Sequence, residues 1–158
     1  MTNELRVSLA NHSNPQHIRA MLRMLTMYAT DAMGIGRPLP PAVRRRLPQG
    51  LRAYKAKVLL AWIGRQPVGI AVCFFRYSTF SAAPMLNIHD FAVSPKHRRR
   101  GIGVALLDAA EQLARRHRCR RLTLEVRTDN SAARALYRNF GIAPGNPPYD
   151  YWTKELHP

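Results

Sequence analysis

The chain has 158 residues, of which 46% are hydrophobic, and this length suffices for one domain with a buried core. Lysine and arginine total 25 against 9 acidic residues, so the formal net charge is +16. No apolar run approaches the roughly 20 residues of a membrane-spanning helix, and the N-terminus lacks the basic-then-apolar pattern of a signal peptide. We therefore expect a single domain over residues 1–158, cytoplasmic and with no membrane partner.

The positive charge favours a polyanionic partner, such as a nucleic acid or a phosphate-bearing cofactor. Arginine outnumbers lysine, however, and a GC-rich genome would produce the same excess without any function. Cys73 and Cys119 lie far apart in the sequence, with no His or Cys at metal-ligand spacing. We therefore expect neither a disulfide nor a bound metal, which fits a reducing cytoplasm.

The N-terminal half of the chain carries signals for both helix and strand. Residues 5–10 alternate apolar and polar side chains and predict a strand, and an Asn-Pro pair predicts the capped start of a helix over about 14–33. The basic segment "AVRRRLPQGLRAY" predicts a short helix or a pair of turns, interrupted by Pro48 and Gly50. Two runs rich in β-forming residues then predict an antiparallel hairpin, at 57–63 and 68–78.

The C-terminal half predicts a strand–helix–strand unit, a second helix and a proline-rich end. In chain order these are a strand at 85–93, a helix at 101–118, a strand at 120–126, a helix at 129–141, and a loop with a final strand within 142–156. A strand, a helix and a further strand in succession form a right-handed crossover, so these two strands should be parallel. The predicted class is α/β with a mixed sheet.

The stretch "SPKHRRRGIGVALL" at 94–107 places basic residues and two glycines where a helix begins. Free backbone N–H groups and the helix dipole make such a helix start a site for an anion. Gly101 and Gly103 would let a phosphate approach the backbone, and Arg98 and Arg99 could add charged hydrogen bonds. A pyrophosphate is the natural ligand for such a loop, although a solvated basic loop that caps a helix would show the same residues.

Two motifs lie on either side of the strand predicted at 120–126. The first is R-x-x-G-x-G from Arg98 to Gly103, and the second comprises Asn130, Ala133, Leu136, Tyr137 and Gly141. Together they resemble the acetyl-CoA signature (Q/R)-x-x-G-x-(G/A) and the later helix motif of the GNAT superfamily of acyl-CoA-dependent N-acetyltransferases. The resemblance is tight over residues 57–142. It implies a twisted mixed sheet with helices on both faces.

The resemblance also implies acetyl-CoA as the acyl donor. The amides around Arg99 to Val104 would hold the pyrophosphate, and the end of the fourth strand would pair its backbone with the pantetheine arm. One N–H group of that strand would polarise the thioester carbonyl. The residues expected to contact acetyl-CoA are therefore Phe91, Ala92, Val93, Arg98, Arg99, Arg100, Gly101, Ile102, Gly103, Val104 and Asn130.

The expected catalytic residues are Tyr137 and His89. The resemblance places Tyr137 at the acid that protonates the departing thiolate, and a tyrosine with an ordinary pKa of about 10 holds its proton at neutral pH. A core aromatic on an amphipathic helix is the alternative role for this residue. Diamine acetyltransferases, which this region resembles, carry a glutamate at the position of His89.

Histidine can take a proton directly or through water, so His89 is a candidate base, and a hydrogen-bonded strand histidine is its alternative role. Strand alternation predicts that Asp90 points to the opposite face from His89. Asp90 is therefore expected to be a structural partner and the reserve base.

From these residues we predict transfer of an acetyl group from acetyl-CoA to a primary amine of a small molecule, or of a protein, without a metal. We expect the acceptor to lie against the 34–52 segment, the 78–85 turn and the C-terminal loop. Acids are scarce there, with Asp31 at the border of the first segment and Asp150 in the loop, so a neutral or anionic amine fits at least as well as a polyamine. The alternatives are a non-catalytic acyl-CoA sensor and, with no recognition signature to support it, a nucleic-acid-binding module. Tyr151 and Trp152 could line the acceptor pocket or a homodimer contact.

Overall fold

The computed structural model describes residues 4–156 as one five-stranded sheet with helices on both faces. The strands are β1 (Leu5–Leu9), β2 (Lys57–Ile63), β3 (Gln66–Ser78), β4 (Ala83–Val93) and β5 (Arg121–Leu124). The helices are α1 (Pro15–Thr30), α2 (Pro41–Ala53), α3 (Ile102–Arg116) and α4 (Ser131–Asn139), and a 3-10 turn covers Pro95–His97.

The strands lie in the sheet in the same order as in the chain. Neighbouring strands are antiparallel from β1 to β4, whereas β4 and β5 are parallel and are joined through α3. The predicted α/β fold with a mixed sheet and a parallel crossover is therefore confirmed.

Two apolar layers cover the sheet, one on each face. The layer beside α3 and α4 includes Leu106 and Leu107 with Leu86 of β4. The layer beside α1 and α2 includes Met24 and Trp62. Because both faces are covered, the middle of β3 is a continuous apolar run rather than an alternating one.

Helix α1 begins as its sequence predicts and ends slightly earlier than expected. The Asn14 side chain accepts hydrogen bonds from the backbone amides of Gln16 at 2.8 Å and of His17 at 3.4 Å, which caps the first turn. At the other end Asp31 adopts an extended conformation, so the helix ends at Thr30 rather than at about residue 33.

Helix α2 is continuous through Pro48, so the predicted interruption at Pro48 and Gly50 was wrong. Proline removes only the amide that would bond to the carbonyl of Arg44, which lies in an exposed turn. The helix is held instead by packing, since Leu51 is buried in the layer beside α1.

The final strand predicted within 142–156 was also wrong, because these residues form neither helix nor strand. Pro144, Pro147 and Pro148 supply no amide hydrogens, so the segment is a poor partner for the edge of a sheet. Among residues 4–156, no helix is long and apolar enough to cross a membrane.

Two glycines, Gly34 in the α1–α2 connection and Gly50 near the end of α2, give a stability test. A Cβ on Gly34 would overlap the carbonyl oxygen of Tyr28, whereas a Cβ on Gly50 would meet nothing within 4 Å. We expect Gly34→Ala to destabilise the protein by about 1–3 kcal/mol through this clash. Gly50→Ala should stabilise it by about 0.5–1 kcal/mol, because alanine loses less backbone entropy in a helix. Urea unfolding followed by circular dichroism measures both changes, and shifts of the same sign would contradict this packing.

Candidate functional site

A β-bulge at His89 sets the geometry of the site. β4 pairs with β3 up to Ile88 and again from Asp90, and His89 between them has no partner on β3. A one-residue bulge reverses the faces to which the following side chains point. Ile88 and Phe91 accordingly pack in the same layer beside α3, although regular alternation would place them on opposite faces.

The bulge places His89 and Asp90 on one face, so the prediction that they point to opposite faces was wrong. The His89 ring lies edge-on to Phe74, with ring centroids 5.6 Å apart, and Phe74 packs in the layer beside α1. Asp90 lines a cavity on this same side of the sheet. Burial raises the pKa of the Asp90 carboxyl, and the neighbouring His89 partly opposes that rise.

β4 and β5 separate beyond the bulge. β5 pairs with β4 only at Met85–Ile88, and within the described part of the chain no strand pairs with that edge of β4 from His89 to Val93. The predicted cofactor-contacting residues Phe91, Ala92 and Val93 lie on this stretch. An open strand edge of this kind can accept an extended chain as an added strand.

Helix α3 begins beside the open edge with an uncapped N-terminus. Gly101 occupies the cap position at φ 77° and supplies no side chain, and the first turn contains no acidic residue. The first helical hydrogen bond runs from the amide of Ala105 to the carbonyl of Gly101. The amides of Ile102, Gly103 and Val104 therefore precede the helical bonding pattern and provide donors for an anion.

The two glycines of the loop have different structural roles. Gly101 has open space around it, and its left-handed φ is the conformation that glycine adopts without strain. At Gly103, a Cβ would lie 2.9 Å from Cδ2 of Leu136. We predicted that both glycines make room for a phosphate, but the space at Gly103 is filled by Leu136, which lets α3 and α4 pack closely.

Arg98 connects the glycine-rich loop to α1. Its Nη2 lies 2.7 Å from Oδ2 of Asp31, and its Nε donates to the carbonyl of Val93 at 3.3 Å. A hydrogen bond from the Met33 amide and the guanidinium of Arg98 hold the pKa of Asp31 below its usual range. Arg98 is thus paired with Asp31 although its side chain is about half exposed, and Arg99 and Arg100 are also exposed.

Tyr137 of α4 lies against the open part of β4. Its side chain is 6% exposed, and its ring lies edge-on to Phe91 with centroids 5.8 Å apart. Burial raises the pKa of the Tyr137 hydroxyl, and Tyr28 raises it further. Asn130 caps this helix by accepting a hydrogen bond from the Ala133 amide at 3.1 Å, so the cofactor residue predicted there also has a structural role.

A cavity of about 380 Å³ lies between α1, α2 and β4. Its lining residues are Leu25, Tyr28, Ala29, Met33, Gly34, Ile35, Leu39, Val43, Leu47, Leu51 and Asp90. Asp90 is the only acid among them. The cavity is therefore apolar, with one carboxyl group at the β-bulge.

Sequence reasoning missed Tyr28, which lines this cavity. Burial and the nearby carboxylates of Asp90 and Asp31 raise the pKa of its hydroxyl. Tyr28 also raises the pKa of Tyr137, so the hydroxyl that lines the cavity interacts electrostatically with the hydroxyl on α4. The available signal was its helical spacing from Met21 and Met24, which places all three on the inner side of α1.

No group of three or more His, Cys, Asp or Glu residues within 4–156 is arranged to hold a metal ion. Burial raises the pKa of the Cys73 thiol to about 12. A thiol with this pKa stays protonated at neutral pH and is a poor nucleophile.

The overall fold is that of known acetyltransferases. A solved structure described as a probable acetyltransferase superposes with a TM-score of 0.82 at 20% identity, covering 97% of this chain and 99% of that one. Ribosomal-protein-alanine N-acetyltransferase from Brucella melitensis biovar Abortus 2308 superposes with a TM-score of 0.76 at 16% identity, covering 97% and 100%. At these identities the likeness concerns the fold alone.

The sequence assigns the family. Residues 21–142 match the Acetyltransferase (GNAT) family, and the chain belongs to that family, as its two motifs predicted. It is 38% identical over 67 residues to the putative [ribosomal protein bS18]-alanine N-acetyltransferase of Bacillus subtilis (strain 168), covering 42% of this chain and 44% of that protein. It is 37% identical over 83 residues to N-alpha-acetyltransferase RimI of Mycobacterium tuberculosis, covering 51% of each. The matches thus span about half the length of these relatives.

Proposed function

We propose that this protein is an N-acetyltransferase that moves an acetyl group from acetyl-CoA to a primary amine by direct attack on the thioester. The observation that carries this proposal is the separation of β4 from β5 beyond the bulge. Around that one opening lie a free strand edge, the uncapped start of α3, Tyr137 and the carboxyl of Asp90. Family membership supports the same reaction.

Acetyl-CoA fits the donors around this opening. The amides of Ile102, Gly103 and Val104 suit its pyrophosphate, and the exposed Arg99 and Arg100 can add charged hydrogen bonds. The edge of β4 over 91–93 suits the amide-bearing pantetheine arm. Arg98 acts as a positioning residue in this proposal, because Asp31 already holds its guanidinium.

Asp90 is the base favoured by the geometry, with His89 as its neighbour. An amine must lose its proton before it can attack a thioester, and Asp90 is the acid that faces the cavity. Burial raises the pKa of Asp90 towards neutrality, which brings a carboxylate closer to the range of an effective base. His89 is exposed at the bulge and tunes Asp90 electrostatically.

Tyr137 is the proposed acid. When the carbon–sulfur bond breaks, the leaving thiolate needs a proton, and the Tyr137 hydroxyl holds one because burial raises its pKa. A backbone N–H on the open edge of β4 would stabilise the oxyanion of the tetrahedral intermediate. Burial raises the pKa of the Cys73 thiol to about 12 and also raises the pKa of the Cys119 thiol, which disfavours an acyl-cysteine intermediate and supports direct transfer.

The acceptor amine could belong to a protein N-terminus or to a small molecule. The names of the curated relatives concern the alanine of a ribosomal protein and N-alpha-acetylation, which favours a protein N-terminal amine. The cavity beside Asp90 is open to solvent on one side and favours an acceptor whose amine-bearing group enters it, which a small molecule also satisfies.

Tyr137→Phe tests the acid. We expect kcat to fall by about 10²- to 10⁴-fold, because the leaving thiolate loses its proton donor. The Kd for acetyl-CoA should stay unchanged, since the ring and its contact with Phe91 are kept. Tyr54→Phe, at a tyrosine that is 80% exposed, is the matched control and should leave both values unchanged. Unchanged kcat in Tyr137→Phe would contradict the assignment, and absence of turnover by the wild type on every amine would favour an acyl-CoA sensor.

The pH dependence of kcat/KM tests the base. A carboxylate base loses activity as pH falls through its pKa, and the raised pKa of Asp90 places this acidic limb above the ordinary value of about 3.9. Asp90→Asn should abolish the limb and lower kcat by about 10²- to 10⁴-fold. His89→Gln removes the charge that lowers the Asp90 pKa, so the limb should move to higher pH. A limb that persists in Asp90→Asn would assign the base elsewhere.

A further inference from the structure

We infer that the acceptor is a primary amine attached to a bulky apolar group, of the size of a leucine or phenylalanine side chain. This inference rests on the proposed function and deepens it by naming the acceptor class.

The cavity has the character of a pocket for an apolar group. Its volume of about 380 Å³ lies within the roughly 300–1,000 Å³ of small-molecule sites. Leu25 comes from α1 on one side, and Val43 and Leu47 come from α2 on the other. Ile35, in the α1–α2 connection, is 59% exposed and lies at the rim. An apolar group entering here would leave water for a hydrophobic surface, which favours its binding.

The charges near the cavity favour one ammonium group and no more. Asp90 is the only acid in the lining, so it can pair with one amine. Asp31 lies nearby at the end of α1, but its carboxylate is bound by Arg98 at 2.7 Å. Arg44 and Arg45 follow the lining residue Val43 on α2 and are exposed, so the surface beside the cavity is basic and does not favour additional positive charge. A polyamine therefore fits this cavity poorly.

The size of the cavity favours a side chain larger than that of alanine. A single methyl group would leave most of the apolar surface between α1 and α2 unfilled. Each methylene group placed in a hydrophobic pocket changes kcat/KM by about 10-fold or more. A leucine or phenylalanine side chain should therefore give a markedly better acceptor than an alanine side chain in the same chemical context.

The first arm of the test compares acceptors with the wild-type enzyme and acetyl-CoA. Leucinamide, phenylalaninamide, alaninamide, argininamide and spermidine serve as free amines, and tetrapeptides with Leu or Ala first represent protein N-termini. We expect the leucine and phenylalanine amides to exceed alaninamide at least about 10-fold in kcat/KM. If only the free amides show the preference for leucine over alanine, the acceptor is a small molecule. If the Leu tetrapeptide reacts much faster than leucinamide, the acceptor is a protein N-terminus.

The second arm uses Val43→Phe to fill the cavity, with Ala42→Phe as its control. Val43 lines the cavity, whereas the neighbouring Ala42 is exposed on α2 and does not. Val43→Phe should lower the leucinamide-to-alaninamide ratio of kcat/KM at least about 10-fold, and Ala42→Phe should leave it unchanged. Melting temperatures show whether each variant is folded, and the Kd for CoA shows whether it binds the cofactor. Leu47→Phe replaces Val43→Phe should the latter not fold.

The outcomes separate the inference from the proposed function. Turnover that is fastest with alaninamide, argininamide or spermidine overturns the inference and leaves the acetyltransferase assignment intact. An unchanged ratio in folded Val43→Phe overturns it as well. If Val43→Phe instead impairs butyryl-CoA as donor without altering acceptor choice, the cavity holds the acyl chain and the inference is wrong. No turnover with any amine contradicts the proposed function itself.

Discussion

The site depends on one irregular residue in β4. The bulge at His89 breaks the ladder between β3 and β4 and reverses the direction of every side chain that follows. It turns Asp90 towards the cavity under α1 and α2, and it turns Phe91 towards α4, where it meets Tyr137. The same irregularity lies where β5 stops pairing with β4, so the strand edge is open next to the proposed acid and base.

Two of the arginines hold the loops beside this opening in place. Arg98, from the β4–α3 loop, pairs with Asp31, and Arg127, from the β5–α4 loop, donates to the carbonyl of Ala32 at 3.2 Å. Both arginines therefore bind residues that directly follow the C-terminal end of α1, where the helix dipole favours cations. The loops on the two sides of the opening are thereby tied to the helix that lines the cavity.

The sequence predicted the architecture well because its periodic patterns reflect packing that holds over whole elements. The parallel crossover, the α3 start and the Asn14 cap all follow from local residue chemistry. The orientation of Asp90 did not, because alternation assumes a regular ladder and nothing in "NIHDFAV" marks an extra residue. The role of Gly103 could not be predicted either, because it depends on contact with Leu136, which is distant in the sequence. The helix break predicted at Pro48 does not occur, because the packing of Leu51 outweighs the one backbone hydrogen bond that proline removes.

The central claim is that the start of α3 holds a diphosphate while the open edge of β4 holds the arm that leads to the thioester. Calorimetry of the wild-type protein with CoA, 3′-phosphoadenosine and pantetheine tests it most directly, because pantetheine keeps the arm and lacks the diphosphate, and 3′-phosphoadenosine shows how much the nucleoside part contributes by itself. The account predicts that CoA binds and that pantetheine binds at least about 10-fold more weakly, since charge-assisted hydrogen bonds are lost. No detectable binding of CoA, or equal affinity for CoA and pantetheine, would contradict it.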